Sequence, residues 1–171
     1  MPTAHPHAAA RTTTRRRTQA DAIKLLKADH AEVKKMFGEY DKMAKAEAAA
    51  DERRPLALEI CAKLKIHTTL EEEIFYPAAR HALGAEHDLI DEAEVEHASA
   101  KDLIAQIEGM SPGDEMYDAK VKVLGEYVMH HVKEEQNELF PKVSRKLDLK
   151  VLGEEMAERK EALVAELGMA H

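Results

Sequence analysis

Two stretches of this sequence repeat one arrangement of histidine, glutamate and proline, His-x3-Glu-x5-Pro. The residues of the two copies are His67, Glu71 and Pro77, and His131, Glu135 and Pro141. On a helix, positions four apart lie about 40° apart around the axis and about one turn apart along it, so the two side chains can reach one point. Imidazole and carboxylate groups together are ligands for transition metals. Each copy therefore predicts a pair of metal ligands on one helix.

Each copy follows a segment that has a single histidine on its apolar stripe. These histidines are His30 and His97; each comes after an acidic residue and four residues before a lysine. The chain thus consists of two similar helical hairpins. Each hairpin contributes one helix with a single histidine and one helix with the His-x3-Glu pair.

The spacing of apolar residues predicts an all-α fold, because from Thr18 onward they recur every three or four positions. We expect an antiparallel up-down four-helix bundle with an extra C-terminal helix. Its predicted domains are a flexible basic tail at 1–17, the bundle at 18–147 and a C-terminal helix packed on the bundle at 148–171.

Proline, glycine and aspartate suggest where the helices begin and end. Pro55 is expected in the first turn of the second helix, and Gly84 should end the segment after that helix. Pro77 should kink or end the second helix, since proline disrupts a helix interior. A third helix is predicted over 86–108, and Asp148 is expected to cap the last helix. The sequence 109–114 reads as a loop.

Burial of these side chains inside a bundle would require a positive counter-charge, since unpaired buried carboxylates are very costly. Six inward ligands exceed the four of a structural zinc site, so two ions fit better than one. We predict that two histidines bind each ion and that both glutamates bridge the ions. The predicted metal ligands are His30 and His67 for one ion, His97 and His131 for the other, and Glu71 and Glu135 as bridges; the assignment of histidines to ions could be permuted.

Mixed imidazole and carboxylate ligands indicate two iron ions with a bridging oxo or hydroxo group, ahead of manganese or zinc. With four protein ligands to each ion, an open position could accept O2, H2O2 or NO. Catalase-like peroxide decomposition is one possible activity, and a redox or iron sensor is another. The alternative is a regulatory or scaffold bundle whose metal is structural or absent.

The six ligand positions and the two prolines resemble the hemerythrin-like family, specifically its HHE cation-binding domains, over residues 20–145. The resemblance implies an antiparallel four-helix bundle around a non-haem di-iron centre, with ligands at the six positions named above. Oxygen-carrying hemerythrins have a second histidine four residues from that of the third helix, where this chain has Ala93 and Lys101. The resemblance therefore favours members linked to oxidative stress, NO or O2 responses, or iron handling over oxygen transport.

Several neighbouring residues were harder to assign from the pattern. We interpret Asp29 and Glu96 as surface residues and Glu72 and Glu134 as solvated. His130 with Glu134 forms another four-residue pair, but the apolar register favours His131. Tyr127 could face the metals, although a core tyrosine is the simpler interpretation.

Composition limits the remaining function classes. The 171 residues include 44% hydrophobic and 34% charged residues, which fits one globular domain and no membrane protein. Four of the 25 basic residues but none of the 33 acidic ones lie in the first 20 positions, so the rest of the chain carries a net charge near −12. Such a surface repels nucleic acid. A single cysteine, Cys61, is typical of the cytoplasm, and we expect a monomer or weak homodimer.

Overall fold

The computed structural model describes residues 21–169, and within them every regular element is helical. In chain order these elements are α1 (Ala22–Lys45), α2 (Ala50–Leu70), a π turn (Glu71–Phe75), α3 (Tyr76–Leu83), α4 (Asp88–Gly109), α5 (Tyr117–Glu134), a second π turn (Glu135–Leu139), α6 (Phe140–Val143) and α7 (Leu149–Glu166). The tail predicted at 1–17 and the start of the predicted first helix lie outside the described residues.

Capping residues explain where several helices begin and end. The Asp21 carboxylate accepts hydrogen bonds from the backbone N–H groups of Ile23 and Lys24 at the start of α1. Asp148 caps α7 in the same way, as predicted, by accepting from the N–H of Val151. Gly84 ends α3 with a φ of 59°, a left-handed conformation that glycine adopts without strain.

The prolines behave differently from the prediction. Pro55 lies inside α2, because the Ala-rich acidic segment before it is already helical from Ala50. Pro77 does not end its helix: the five-residue π turn that begins at Glu71 widens the backbone, and α3 continues after it. Pro141 follows the second π turn in the same way. Such π turns occur often at functional sites.

Four helical segments form a ring around the core. α1 contacts α2 and α5, and α4 contacts the same two helices from the opposite corner. One apolar cluster joins the first part of α1 to the last part of α2 and contains Leu26, Leu70 and Phe140. The other joins the last part of α1 to the first part of α2 and contains Tyr40 and Ile60. On α1, His30 follows Leu26 of the first cluster and precedes Val33 of the second, so the helix passes from one cluster to the other at this histidine.

The last helix, α7, packs outside the ring against α1 and α2. Met156 is fully buried and Leu163 is nearly so, and both belong to the cluster that contains Leu26. None of the helices within residues 21–169 is both long enough and apolar enough to cross a membrane. The predicted cytoplasmic location and oligomeric state stay predictions.

Candidate metal centre

The six predicted ligands are all buried and meet in one layer of the bundle. Their side chains come from α1, the end of α2, the two π turns, α4 and α5, and none of these residues is more than 8% exposed. Glu71 and Glu135 are the first residues of the two π turns. The residues that form this layer are His30, His67, Glu71, His97, His131 and Glu135.

The first set of converging groups contains His30, His67, Glu71 and Glu135. The Nε2 atoms of His30 and His67 are 3.0 Å apart. Nε2 of His67 is 3.0 Å from Oε1 of Glu71, and Nε2 of His30 is 3.2 Å from Oε2 of Glu135. All four side chains therefore direct a ligand atom to one small volume.

The second set contains Glu71, His97 and His131. The Nε2 atoms of the two histidines are 3.2 Å apart, and Nε2 of His97 is 3.2 Å from Oε2 of Glu71. Glu71 thus directs one oxygen to each set. Oε2 of Glu135 is also 3.6 Å from Nε2 of His131, so both glutamates lie between the sets. This is the pairing of histidines that the sequence predicts.

Two oxygens of this layer have no hydrogen-bond partner within residues 21–169, although both are buried. They are Oε1 of Glu71 and Oε2 of Glu135, which face the histidine Nε2 atoms named above. Two ligands bound about 2.1 Å from one ion, at angles of 90° to 109°, lie about 3.0 to 3.4 Å apart. The distances match this spacing closely, so the donor set fits two bound cations.

A second ring of polar side chains contacts the outward-facing Nδ1 atoms of all four histidines. Asp29 lies 3.4 Å from Nδ1 of His67, and Glu96 lies 2.6 Å from Nδ1 of His131. Glu72 lies 2.9 Å from Nδ1 of His97. The interpretation of Asp29 as a surface residue is wrong, since it is only 8% exposed. Glu96 and Glu72 are partly buried and bound to histidine rather than simply solvated.

These outer contacts follow the internal repeat. The acid just before each single histidine, Asp29 or Glu96, contacts the histidine of the other helix in its own hairpin. The residue just after each bridging glutamate contacts the single histidine of the other hairpin. Gln136 occupies this position in the second half, with its side-chain nitrogen Nε2 2.9 Å from Nδ1 of His30, so this amide donates to the ring. At the other three histidines, a hydrogen bond from Nδ1 to a carboxylate fixes the imidazole so that Nε2 is free for a metal.

Tyr76 is a further site residue that the His-x3-Glu-x5-Pro pattern does not indicate, because it occupies one of the unspecified positions before Pro77. Its hydroxyl donates a hydrogen bond of 2.9 Å to Oε1 of Glu135. The same oxygen lies 3.3 Å from Nε2 of both His97 and His131. The hydroxyl therefore belongs to the second set.

The two undecided residues lie away from the ligand layer. Tyr127 is 52% exposed, so it is neither a core tyrosine nor one of the converging ligands. The His130 side chain is 65% exposed and pairs with Glu134 at the surface. The register that favoured His131 therefore agrees with the structure.

Negative charge around the histidines governs the pKa values in this layer. Burial alone would lower the pKa of His67, but Glu71, Asp29 and Glu135 together raise it to about 10. Burial alone would raise the pKa of Glu71, yet His67 and His97 hold it well below its usual value. The pKa of Asp29 is also lowered, because His67 and Lys160 outweigh its burial. Without a metal, proton sharing between these groups balances the buried charge.

We expect a metal ion to compete with the proton on His67. A metal requires a neutral imidazole, so binding at pH 7 must release the proton that a pKa of about 10 retains. The apparent affinity for Mn²⁺ should rise by up to about tenfold per pH unit between about pH 7 and 9. Because this pKa lies above the ordinary value of 6.5, the ion pair should stabilise the metal-free protein fully below pH 6.5 and be lost as the pH rises through 10. Titration calorimetry in buffers of different ionisation enthalpy measures the released proton, and an affinity that does not change with pH would contradict the expectation.

A cavity of about 30 Å³ adjoins the histidines on the side of the apolar cluster that contains Tyr40 and Ile60. A single water molecule needs about 10–15 Å³ of cavity volume, so a cavity of this size can hold a diatomic molecule. Its wall away from the histidines is apolar and includes Val33, Leu64, Ile104 and Val128. Half-exposed Tyr127 also lines it and connects it to the surface.

Comparison with known proteins agrees with this geometry. The family model of the hemerythrin HHE cation-binding domain matches residues 21–143. A solved structure of a hemerythrin HHE cation-binding domain-containing protein from Mycobacterium kansasii has 25% sequence identity and a TM-score of 0.70, and the similarity covers 85% of this chain and 88% of that one. A DNA nickase from Nostoc sp. is 33% identical over 86 residues, which are 49% of this chain; the chain spans only 23% of the nickase.

Proposed function

Because this chain belongs to the hemerythrin HHE cation-binding family, we propose that its six buried ligands hold two iron ions and that this centre binds or reacts with a small oxidant. The ligands would be carried by an up-down bundle. Each apolar cluster combines one end of α1 with the opposite end of α2, which supports this arrangement. The observation that carries the proposal is that, within residues 21–169, one buried carboxylate oxygen each of Glu71 and Glu135 has no hydrogen-bond partner. A buried carboxylate oxygen that faces an imidazole nitrogen requires a cation or a shared proton between them.

Iron is the metal that the donor types favour. Four imidazoles, two carboxylates and the phenol of Tyr76 combine borderline and hard ligands, and no thiolate belongs to the set. The one cysteine, Cys61, lies in the apolar cluster that contains Tyr40 and Ile60, and its burial raises the pKa of the thiol to about 12. When bound, a pair of iron ions supplies electron transfer and open coordination positions for a small ligand.

The protein side chains would perform three tasks around such a pair. Asp29, Glu72 and Glu96 accept hydrogen bonds from histidine Nδ1 atoms and keep the Nε2 atoms directed inward. The Tyr76 hydroxyl donates a hydrogen bond to Oε1 of Glu135, with 2.9 Å between the two oxygens. The apolar wall of the cavity excludes bulk water from the histidine layer.

The cavity supports O2 or NO as the ligand more strongly than H2O2. Its volume of about 30 Å³ suits a diatomic molecule, and its wall is largely aliphatic, with Thr68 and Tyr127 as the polar groups apart from the histidines and their acidic partners. A hydrogen-bonding molecule that moves from water to such an apolar surface loses its hydrogen bonds to water, which costs about 1–3 kcal/mol by protein mutational measurements. Peroxide decomposition is therefore the second activity to test.

We propose no DNA function for this chain. The name of the Nostoc relative describes a protein of which the chain spans only 23%. The excess of 33 acidic over 25 basic residues, with four of the basic ones in the first 20 positions, opposes binding to a phosphate backbone.

Anaerobic loading of the metal-free protein with Fe²⁺ tests the proposal. We expect two iron ions per chain by mass spectrometric metal analysis and a yellow colour after exposure to O2. The spectrum should then change on addition of NO, and oxygen evolution after addition of H2O2 would identify catalase-like activity. A protein that binds no iron, or one zinc ion only, would favour the scaffold alternative.

A further inference from the structure

The outer helix α7 approaches the ligand layer through Lys160, which pairs with Asp29, an outer partner of His67. Nζ of Lys160 lies 2.5 Å from Oδ1 of Asp29. Oδ2 of the same carboxylate lies 3.4 Å from Nδ1 of His67. A continuous polar path therefore leads from α7 to a predicted metal ligand. This helix lies outside the residues matched by the family model.

Asp29 differs from the other outer carboxylates in its burial. The exposed fraction of its side chain is 11%, compared with 30% for both Glu72 and Glu96. A carboxylate this buried needs a neighbouring cation to remain ionised at low cost. Lys160 supplies that cation from outside the four-helix ring. The cation beside Glu72 is instead Lys101, which belongs to α4 of the ring itself.

The docking of α7 places Lys160 at this position. Met156 and Leu163 of α7 are buried in the apolar cluster that contains Leu26. Lys160 follows Met156 by one turn, and its side chain is 34% exposed. The adjacent Arg159 instead pairs with Glu73 at the surface, with 2.7 Å between Nε and Oε2. Two neighbouring cations of one helix thus have different environments, since Lys160 pairs with a buried carboxylate that contacts a predicted ligand, whereas Arg159 pairs with a carboxylate at the surface.

We propose that Lys160 is a positioning residue of the metal centre, which holds Asp29 against Nδ1 of His67. Metal binding to the set that contains His30 and His67 and docking of α7 then stabilise each other. The inference rests on the proposed function, because it requires that this set binds a metal ion. The coupling is reciprocal by thermodynamic linkage: if α7 strengthens metal binding, the metal strengthens the docking of α7 by the same factor.

The test compares Lys160→Met with Arg159→Met in the full chain. Methionine keeps an apolar stem of similar length and removes the charge. Mn²⁺ affinities are measured by competition with a chelator, and amide hydrogen exchange of 149–166 is measured with and without Mn²⁺. In the wild type, Mn²⁺ should slow exchange in α7. Lys160→Met should weaken one of the two sites by about tenfold, the lower end of the effect of losing an outer partner, and abolish the metal dependence of exchange.

Arg159→Met is the matched control, because it also removes one cation from α7, together with the ion pairs to Glu73 and Glu166. This variant should speed amide exchange of α7 by the same factor with and without Mn²⁺. It should change the Mn²⁺ affinity of either site by no more than about twofold, as expected for an exposed ion pair. The double variant with Asp29→Asn separates positioning from simple undocking. In the Asp29→Asn background, Lys160→Met should have no further effect on Mn²⁺ affinity, whereas undocking alone would still lower it and would overturn the inference.

The outcomes distinguish this inference from the proposed function. A wild-type protein that binds two ions while Lys160→Met retains both affinities and the metal-dependent exchange overturns the role of Lys160 alone. A wild-type protein that takes up no Mn²⁺ or Fe²⁺ overturns the proposed function and this inference with it.

Discussion

The Glu71→Gln variant is expected to lose both metal ions, because this carboxylate directs one oxygen to each set of histidines. Oε1 lies 3.0 Å from Nε2 of His67, and Oε2 lies 3.2 Å from Nε2 of His97. Glutamine has nearly the same shape but no negative charge, and it cannot bridge two cations with two anionic oxygens. Metal analysis after loading with Fe²⁺ should therefore give less than half an ion per chain instead of two.

The same variant should lose the stability that metal binding provides. A ligand at a concentration 100 times its dissociation constant stabilises the folded state by about 2.7 kcal/mol. For a chain of this length, about 2.7 kcal/mol corresponds to an increase in Tm of roughly 5–11 °C. We expect the wild type to show such an increase on loading and Glu71→Gln to show none, measured by calorimetry of loaded and metal-free samples.

Glu138→Gln provides the matched control for this experiment. Glu138 lies in the second π turn, which begins at Glu135, but its side chain is exposed and outside the ligand layer. The control should bind two ions and retain the increase in Tm. Two ions bound to Glu71→Gln with wild-type affinity would refute the bridging role of this carboxylate.

The sequence predicted that the six side chains of the ligand layer meet inside the bundle because the pattern is repeated, and their role as metal ligands stays a prediction. His-x3-Glu occurs twice on apolar stripes, so the helical period alone places all six side chains in the interior. The resemblance to HHE domains, confirmed by the match over residues 21–143, depends on the same six positions.

The outer partners of the histidines could not be identified in the same way. Asp29 and Glu96 point about 100° away from the adjacent histidines, which on an isolated helix indicates the surface. In the bundle that direction faces the neighbouring helix, where His67 and His131 present Nδ1. A side chain's position relative to the next helix depends on how the two helices are rotated in packing, and the apolar period of one helix does not contain this information. The repeated acid before each single histidine was the available signal.

The π turns before the prolines are absent from the sequence prediction for a related reason. Pro77 lacks a backbone N–H, so an ordinary helix interior would be interrupted there. The structure instead contains a π turn at Glu71–Phe75, in which the N–H of Tyr76 donates to the carbonyl of Glu71. This turn keeps the helix continuous and brings Tyr76 toward the site. A regular α-helix drawn from the sequence would instead place Tyr76 with the neighbouring apolar residues.

Tyr76→Phe is expected to weaken metal binding in the second set and leave the first set intact. The Tyr76 oxygen lies 3.3 Å from Nε2 of both His97 and His131, and 2.9 Å from Oε1 of Glu135. Burial and the two nearby glutamates raise the pKa of this phenol well above its usual value in the absence of metal, so a bound cation would have to displace its proton. Loss of the hydroxyl should lower the affinity of one ion by about 10- to 100-fold, the range found when a group that supports a metal ligand is removed.

Tyr40→Phe is the control that makes this result specific. Tyr40 is also buried, and its hydroxyl donates a hydrogen bond of 2.6 Å to Asp118, but it lies in the other apolar cluster and contacts no ligand. Loss of that hydrogen bond should cost stability without a change in metal affinity. Titration with Fe²⁺ should then resolve two tight ions in Tyr40→Phe and one tight and one weak ion in Tyr76→Phe. If the phenol binds ferric iron directly, a visible absorption band of the oxidised wild type should disappear only in Tyr76→Phe; equal affinities in both variants would restrict Tyr76 to a hydrogen-bond donor for Glu135.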